Sequence, residues 1–448
     1  MGRHVLIAGG GFGGYYAAKK LERLAPEDVR ITLVNDVNFL LYAPLLPGAA
    51  AGTLDPRHVV VPLREHLRRT ELRMGWVVGG DPGRCALNVE MVSGKMHEFS
   101  YDQLIVALGS ISRTFPIPGL VQHAIGFKTI AEATALRNRV VHHLELAEGL
   151  DDPDERRSWL SFVFVGGGYA GLEGIAFLAD FAADVLKRYP RCREVGTRWT
   201  LVDAAERIMP EIQPSLAKFT VDLLERRGIA FRLSTQVTRV RDDGVELSSG
   251  EFIPARTVCW TAGVKANPVA ERLGLPLDRG RIACDEFMRV RGHENVWALG
   301  DIAAVPDPAR SGEACPPTAQ HAVRQGKRLG RNVAAALGGR GQVKPFTFKT
   351  LGSFAELGRH KAVANLMGLR VRGFAAWAIC RFYHLAWMPG LDRKSRLIAD
   401  WSTEIIFPRD IAEMGQLGHP PPLSGLPTPP PEERGPAALQ SAEKPTRA

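Results

Sequence analysis

Short apolar runs alternate along the chain with glycines and with longer stretches of helical periodicity. The first run covers residues 4–8 (HVLIA), ends in glycines, and precedes a helical pattern of small residues over 15–24. Another apolar run follows at 30–34 (RITLV). Strand, helix and strand within about 30 residues are typical of a parallel nucleotide-binding unit. The pattern therefore predicts an α/β fold that begins with such a unit.

The same order of elements recurs once. An apolar run at 162–165 (FVFV) leads through glycines into a helical pattern over 172–186, and an apolar run at 199–202 (WTLV) follows. This repeat predicts two Rossmann-like dinucleotide-binding domains in one chain. Three more apolar runs lead into a glycine, and they are 104–108 before Gly109, 257–260 before Gly263, and 295–299 before Gly300.

Both units carry a G-x-G-x-x-G motif between strand and helix. The first glycine permits a tight turn, the second lets the backbone approach a pyrophosphate, and the third lets helix and strand pack closely. The helix N-terminus adds amide donors for the phosphates. One such motif is weak evidence, but two in the same context predict two dinucleotide sites. The motif glycines are Gly9, Gly11 and Gly14 in the first unit, and Gly166, Gly168 and Gly171 in the second.

The residue that ends the second strand of each unit is expected to contact the adenosine ribose. In the second unit it is Asp203, whose carboxylate accepts from a 2′-OH and repels a 2′-phosphate, so we expect NADH rather than NADPH. In the first unit it is Asn35, where an acid is usual, with Asp36 next to it. Two sites imply one nucleotide held permanently and one exchanged, with FAD on the first unit and NADH on the inserted second.

Composition is that of a globular protein with a substantial core. The chain is 45% apolar and 23% charged. Its length of 448 residues suggests two or three domains. No stretch reaches the roughly 18 apolar residues of a membrane-spanning helix, and no signal peptide precedes the first strand, so we expect a cytosolic start. The six cysteines lack paired spacing and are expected to be reduced and structural. We predict no metal site.

Residues 359–396 hold eight basic residues against one acid, Asp392, with aromatic residues interleaved. Such a mixture suits a segment at the surface of an anionic membrane. The alternative is a domain-packing or dimer-forming segment whose aromatics belong to the core. Nucleic-acid binding is not expected, because no recognition module accompanies the basic run. The basic residues are Arg359, Lys361, Arg370, Arg372, Arg381, Arg393, Lys394 and Arg396, and the aromatics are Phe374, Trp377, Phe382, Tyr383 and Trp387.

The next segment, 397–407, has the pattern of an amphipathic helix. From about 413 onward the chain is rich in proline and mixed charge, which predicts a disordered tail. The apolar arc of the helix is predicted to contain Leu397, Ile398, Trp401 and Ile405, with Asp400, Thr403 and Glu404 opposite.

At several further positions the chain resembles the two-dinucleotide flavoproteins and, within them, the type II NADH dehydrogenases, over about 1–412. Residues 38–47 (NFLLYAPLLP) are similar to the family's stretch along the flavin, and 107–109 and 261–263 resemble its two crossover motifs. Residues 297–301 (WALGD) resemble its second FAD motif. The resemblance implies that Asp301 binds the ribityl hydroxyls and that Gly300 clears room for the flavin phosphate.

The segment 316–322 (PPTAQHA) is similar to the family's A-Q-x-A helix, which faces the flavin where quinone docks. The resemblance implies that Ala319 lies there and that Gln320 hydrogen-bonds a quinone carbonyl. The alternative for Gln320 is a helix-capping or flavin-packing amide. The family often has a second glutamine four residues later, where this chain has Arg324.

The resemblance also places Glu173 near the contact of flavin and nicotinamide, where it would assist proton delivery to the quinone. We expect Glu173 on the first turn of its helix. A helix N-terminus favours a carboxylate, so compensation of the helix dipole is the alternative.

The resemblance further implies the domain organisation and the function. An NADH domain is inserted in an FAD domain, and a C-terminal membrane-attachment region follows. The chain would be an NADH:quinone oxidoreductase that uses FAD, reduces menaquinone or ubiquinone and pumps no protons. It would lie on the cytoplasmic face of the inner (plasma) membrane, attached through about 359–407, and a homodimer remains open. The ranges are 1–120 and 266–345 for FAD, 121–265 for NADH, 346–412 for the membrane and 413–448 for the tail.

Other functions of related flavoproteins fit less well. A dithiol reductase needs paired cysteines beside the flavin, and 40–47 contains none. A sulfide:quinone oxidoreductase needs a cysteine pair across the flavin, and only Cys315 is near the right place. A soluble reductase of ferredoxin or rubredoxin should lack the basic aromatic segment. A non-catalytic redox sensor would bind both nucleotides but turn over very slowly with every quinone.

Overall fold

The computed structural model describes residues 3–310, 312–350, 352–366 and 368–414. The helices are α1 (Phe12–Leu24), α2 (Leu46–Ala50), α3 (Leu63–His66), α4 (Leu120–His123), α5 (Ile130–Gly149), α6 (Pro153–Trp159), α7 (Tyr169–Val185), α8 (Pro190–Val195), α9 (Pro214–Glu225), α10 (Ala319–Ala336), α11 (Phe374–Trp387) and α12 (Leu391–Ile406). The strands are β1 (His4–Ala8), β2 (Arg30–Asn35), β3 (Phe39–Leu41), β4 (Val60–Pro62), β5 (Thr70–Asp81), β6 (Ala86–Met91), β7 (Met96–Ser100), β8 (Gln103–Val106), β9 (Ser110–Ser112), β10 (Ala124–Gly126), β11 (Ser161–Val165), β12 (Arg198–Val202), β13 (Ile229–Arg232), β14 (Val237–Val240), β15 (Gly244–Leu247), β16 (Phe252–Pro254), β17 (Thr257–Trp260), β18 (Val264–Ala266), β19 (Leu277–Asp278), β20 (Arg281–Ala283), β21 (Val296–Ala298), β22 (Ala303–Ala304), β23 (Gly352–Glu356), β24 (Ala362–Leu366) and β25 (Leu369–Gly373).

The first nucleotide unit is a seven-stranded sheet in the order β21-β8-β1-β2-β5-β6-β7. The strands from β21 to β5 pair in parallel, and β6 and β7 extend the sheet as antiparallel strands. Every residue of β1 is buried, as expected of a parallel strand covered on both faces.

Helices α1 and α10 pack closely against each other because α10 presents glycines at the contact. A Cβ atom added at Gly326 would lie 2.4 Å from the Gly13 carbonyl oxygen, and one at Gly330 would lie 2.6 Å from that of Ala17. Both distances are too short for any side chain, so the two glycines set the spacing of the helices.

The second unit is a five-stranded parallel sheet in the order β10-β17-β11-β12-β13. Its strands lie in the chain between β9 and β18, which pair antiparallel where the chain leaves the first unit and returns. One nucleotide-binding unit is therefore inserted in another, and the predicted fold class is confirmed.

The C-terminal region begins with the antiparallel sheet β23-β24-β25, and α11 covers it. Helix α12 then returns to the first unit, where Leu397 is fully buried in the main core. Within the ranges given above, no helix has the length and apolar character needed to cross a membrane. The predicted disordered tail lies outside the described residues from 415 onward.

Candidate active site

The first glycine turn is shaped by backbone contacts that only glycine allows. Gly9 has a φ of +103°, and a Cβ atom there would lie 2.4 Å from the carbonyl oxygen of Ala107. A Cβ atom at Gly14 would lie 1.8 Å from the Gly9 carbonyl oxygen, so helix and strand meet here. Gly11, just before α1, faces open space. The turn therefore leaves a path by which a phosphate can reach the backbone and the helix N-terminus.

The second turn repeats this geometry. Gly166 has a φ of +114°, and a Cβ atom at Gly171 would lie 2.0 Å from the Gly166 carbonyl oxygen. Gly168, just before α7, again faces open space. Both turns thus fit the pyrophosphate of a dinucleotide, as the two motifs predict.

The residues at the ends of β2 and β12 hold these turns in the same way. The Asn35 side-chain oxygen accepts from the Gly10 N–H at 2.7 Å. Asp203 accepts from the corresponding Gly167 N–H with one oxygen and from the Ala205 N–H at 2.7 Å with the other. An amide and a carboxylate therefore make the same turn contact, and only the second carries a charge.

Each crossover segment lies beside one glycine turn, with 107–108 against Gly9 and 261–262 against Gly166. Gly109, Gly263 and Gly300 have φ values of +66°, +92° and +73°. The Asp301 carboxylate accepts from the Ser110 hydroxyl at 2.5 Å. The same hydroxyl accepts from the Lys128 ammonium at 3.0 Å, so Asp301 is fixed from the crossover.

Gln325 stabilises the second FAD motif from α10. Its side-chain oxygen accepts from the Gly300 N–H at 2.8 Å, and the side chain is buried. Gln325 directly follows Arg324 and was not among the predicted site residues. Its role depends on a contact between α10 and the loop after β21, which no local motif announces.

Ala319 and Gln320 open α10, next to the crossover residues. The cap is provided by Thr318, whose hydroxyl accepts from the His321 N–H, so Gln320 is not the helix-capping residue. Instead, the Gln320 side-chain N–H donates to the Gly352 carbonyl at 3.2 Å, at the start of β23. Arg324 lies 4.2 Å from the centroid of the Phe348 ring and is stacked on it.

Glu173 bonds to the other end of the same strand. Its carboxylate accepts from the Glu356 N–H at 2.9 Å. Helix α7 begins at Tyr169, so Glu173 lies beyond the first turn, and our expectation of a first-turn position is wrong. Because the dipole effect falls off within that turn, it does not explain this carboxylate. Gln320 and Glu173 are thus held at opposite ends of β23, about 13 Å apart along a strand of this length.

A narrow cavity joins Glu173 and Glu356 to the stretch 38–47. Burial raises the pKa of Glu173 to about 8. Burial also raises the pKa of Glu356 to about 7, with Arg381 acting to lower it and Glu404 to raise it. Two carboxyl groups that titrate near neutrality in one cavity can hold and exchange protons. The cavity is lined by Pro44, Leu45, Pro47, Gly48, Thr53, Leu54, Glu173, Phe177, Glu356, Arg381 and Trp401.

Three of the basic residues predicted to face lipid are bound to protein groups instead. Arg381 is buried and pairs with Glu404 at 2.9 Å. Arg359 donates to the Glu404 backbone carbonyl at 2.9 Å, and Arg393 pairs with Asp392 at 3.1 Å. For Arg381 the prediction is wrong, because a buried guanidinium needs a nearby carboxylate or carbonyl. For Arg359 and Arg393, which are partly exposed, the position at a membrane surface stays a prediction.

The predicted orientation of α12 is also wrong in part. Asp400 faces inward, where its carboxylate bonds His58 at 2.7 Å, and Glu404 faces inward to Arg381. Ile398 and Ile405, predicted to share an arc with Leu397, are exposed instead. Asp400 and Glu404 therefore point into the protein, towards His58 and Arg381. Ile398 and Ile405 of the same helix point outward.

The exposed side of α11, α12 and the residues beside them is apolar. Trp377 is buried, whereas Phe374 and Phe382 are 64% and 74% exposed. This surface is called the apolar face below, and it consists of Leu369, Phe374, Ile379, Phe382, Leu391, Ile398, Ile405, Ile406 and Phe407.

All six cysteines are free thiols, and five of them are buried. Burial raises the pKa of Cys315 to about 11, so it is not a thiolate at neutral pH. Among the described residues no thiol pairs with it, which is the arrangement expected of structural cysteines.

Known proteins resemble this chain in sequence and in fold. Residues 3–326 match the family of pyridine nucleotide-disulphide oxidoreductases. A type II NADH:quinone oxidoreductase, Ndh, of Mycobacterium tuberculosis is 32% identical over 91% of this chain and 89% of its own length. That of Staphylococcus aureus is 28% identical over 83% of this chain and 91% of its own. The NDH2 of Plasmodium falciparum, solved with NADH, shares the fold with a TM-score of 0.86 and 18% identity, over 92% of this chain and all of that one.

Proposed function

Because this chain belongs to the pyridine nucleotide-disulphide oxidoreductases and, within them, to the type II NADH:quinone oxidoreductases, we propose that its two units divide the cofactors between them. The protein is an enzyme that oxidises NADH and reduces a quinone. FAD, when bound, supplies the redox chemistry, since it accepts two electrons from NADH and passes them on to the quinone. We assign FAD to 1–120 with 266–345, and NADH to 121–265.

The observation that supports a dinucleotide in each unit is the open space at both glycine turns. A side chain at Gly11 or Gly168 would meet nothing within 4 Å, while the other motif glycines are enclosed by backbone. Each turn can therefore admit a pyrophosphate without moving the protein. The charge on Asp203 favours the free ribose of NADH in the second unit. In the first unit the amide of Asn35 can still hydrogen-bond the ribose hydroxyls of FAD.

We propose that the quinone lies beside Ala319 and Gln320. A side-chain amide has two N–H donors, and Gln320 uses one of them for the Gly352 carbonyl. The second remains for a quinone carbonyl. The bond to β23 fixes the direction of the amide, which is what orientation of a reactant requires.

The overall reaction consumes one proton, because NADH, a proton and a quinone give NAD⁺ and a quinol. Glu173 is suited to deliver it, since a carboxyl with a pKa of about 8 is protonated at neutral pH. Glu356, with a pKa of about 7, can restore that proton through the shared cavity.

We further propose that the apolar face rests on the cytoplasmic side of the inner (plasma) membrane, within the attachment region 346–412. Exposed Lys361 and Arg396 remain available to anionic headgroups. Arg370 and Arg372 are exposed too, but they contact Ser215 and the Phe219 ring. Large apolar side chains exposed on two consecutive helices are typical of an interaction surface rather than of ordinary solvent-facing helices.

The first test is steady-state oxidation of NADH by FAD-loaded protein with a menaquinone or ubiquinone analogue and, in parallel, with ferricyanide. We expect turnover with both, and Gln320→Leu should lower the quinone rate while leaving the ferricyanide rate unchanged. Gln236→Leu, at an exposed position of the second unit, is the matched control. Turnover with ferricyanide but with no quinone would instead favour a reductase of a protein acceptor.

The membrane assignment is tested by substitution rather than truncation, because Leu397 belongs to the core. Phe382→Ser combined with Ile398→Ser and Ile405→Ser should release the protein from membranes in a sedimentation assay. Val92→Ser with Val121→Ser removes exposed apolar side chains elsewhere and should not. Equal release by both variants, or by neither, would place the attachment elsewhere.

A further inference from the structure

An open groove of about 730 Å³ lies between α1, α10 and the turn that follows α11. It is separate from the quinone position, because Lys327 lies about two helical turns beyond Gln320 on α10. One wall is cationic, and the opposite wall is formed by Trp387 and the residues 388–390. The cations that line it are Lys19, Lys20, Arg23 and Lys327.

No carboxylate is among the residues that line this groove in the described part of the chain. Glu22, on the same helix, is bound elsewhere, since its carboxylate accepts from the backbone N–H groups of Arg69 and Thr70. Burial lowers the pKa of Lys20, and the nearby Arg331 and Arg23 lower it further. Asp392 lies at the edge of the groove, 4.0 Å from the His66 ring, and the four lining cations outnumber it. The cations therefore create a positive potential, which a bound anion relieves.

Aromatic rings hold the central cation of the groove. The Lys327 ammonium lies 4.5 Å from the centroid of the Trp387 ring and 4.8 Å from that of Tyr16. Arg324 lies on the same Trp387 ring at 5.1 Å. The Trp387 ring is apolar, and its face attracts cations. Such a side chain suits the boundary between headgroups and acyl chains.

The groove is continuous with the apolar face. Its wall, 386–390, ends α11 and leads directly into α12, whose first residue, Leu391, is 84% exposed. A ligand with an anionic head and apolar chains would therefore meet cations at one end and exposed apolar side chains at the other.

We propose that this groove binds the phosphate of an anionic phospholipid headgroup, with the acyl chains directed towards the apolar face. The proposal rests on the membrane attachment proposed above and names the lipid that it recognises. A free phosphate could meet the same cations, but it would make no use of Trp387 or of the apolar wall. Binding here would fix the rotation of the enzyme on the membrane, because α1 and α10 belong to the first nucleotide unit.

The test uses the FAD-loaded full chain and vesicles of phosphatidylcholine with or without phosphatidylglycerol. Lys20→Glu with Lys327→Glu should weaken binding to the anionic vesicles by about tenfold or more, since each basic residue near such a surface contributes strongly. Binding to pure phosphatidylcholine should not change. Arg193→Glu with Arg198→Glu makes the same change of net charge at exposed positions of the second unit and should have a much smaller effect.

Three outcomes would overturn the proposal: equal loss in both double variants, no loss in the groove variant, or release of the wild-type protein from anionic vesicles by millimolar inorganic phosphate at constant ionic strength. The last would identify a free-phosphate site. Flavin absorbance and NADH:quinone turnover in detergent are measured on the same samples. They report folding and the proposed enzymatic function separately, so a failure of either is distinguished from a failure of the lipid site.

Discussion

The two nucleotide units share one turn geometry, but they differ at the position two residues beyond the third glycine. In the first unit this residue is Tyr16, whose ring contacts Lys327 in the cationic groove. In the second unit it is Glu173, which bonds to Glu356. Phosphate binding dictates the residues of the glycine turn itself, because backbone atoms there lie too close together for a side chain. Two residues beyond the third glycine that requirement has ended, and each unit has a different side chain there to suit what packs against it.

The largest difference between the two units is expected when the third glycine of each motif is substituted. Gly14→Ala should abolish flavin incorporation and all turnover, since its Cβ atom would overlap the Gly9 carbonyl oxygen. Gly171→Ala should retain the flavin and lose saturation by NADH, with KM raised by at least about tenfold, or 1.4 kcal/mol. The measurements are the ratio of flavin to protein and steady-state kinetics.

Gly11→Ala and Gly168→Ala are the matched controls, because a Cβ atom at either position meets no protein atom. Both should fold, and any loss should appear only as weaker nucleotide binding. A flavin-free Gly171→Ala protein would show that the two units do not divide the cofactors as proposed.

The next largest effect is expected from the acid that the first unit lacks. Glu173→Gln should reduce quinone-dependent kcat by roughly a hundredfold, the usual size of a lost general acid. In the unsubstituted enzyme the same rate should fall as the pH rises through about 8, because Glu173 then loses its proton. Turnover with ferricyanide should follow neither change. Glu225→Gln, at an exposed position, is the control, and an unchanged pH profile in Glu173→Gln would remove Glu173 from proton delivery.

The strand-end residues offer a finer distinction. Asp203→Asn gives the second unit the amide of the first and should preserve the bond from Gly167 while removing the charge. The preference for NADH over NADPH should fall by about tenfold in kcat/KM, since a 2′-phosphate is no longer repelled. Asn35→Asp, the reciprocal change, should leave nucleotide selectivity as it was. Unaltered selectivity in Asp203→Asn would separate this residue from the ribose.

The last effect concerns the stability of the fold rather than activity. The pKa values of Glu173 and Glu356 are raised in the folded protein, so the unfolded chain releases these protons first. Their contribution is present in full below about pH 4.5 and is lost as the pH rises through 7 to 8. The free energy of unfolding should therefore fall between about pH 4.5 and these pKa values, by roughly 3 kcal/mol for Glu356. Urea unfolding at several pH values measures this slope, and Glu356→Gln should flatten it.

Sequence reasoning found what is local. The glycine turns, Asn35 and Asp203 follow from spacing within one strand–helix–strand unit, and the structure brings each of them to its turn. Glu356 was missed because its significance comes from Glu173, far away in sequence on another element. The polarity of Glu404 predicted an outward position on α12. In the structure Glu404 points inward, because it pairs with the buried Arg381.

The strand β23 has a consequence for how such enzymes diverge. The family match ends at residue 326, before β23 begins, although both candidates for quinone chemistry, Gln320 and Glu173, bond to that strand. Both glycine turns lie inside the matched segment. A sequence change in β23 is therefore expected to shift Gln320 and Glu173, and with them the proposed quinone site, while leaving both turns in place.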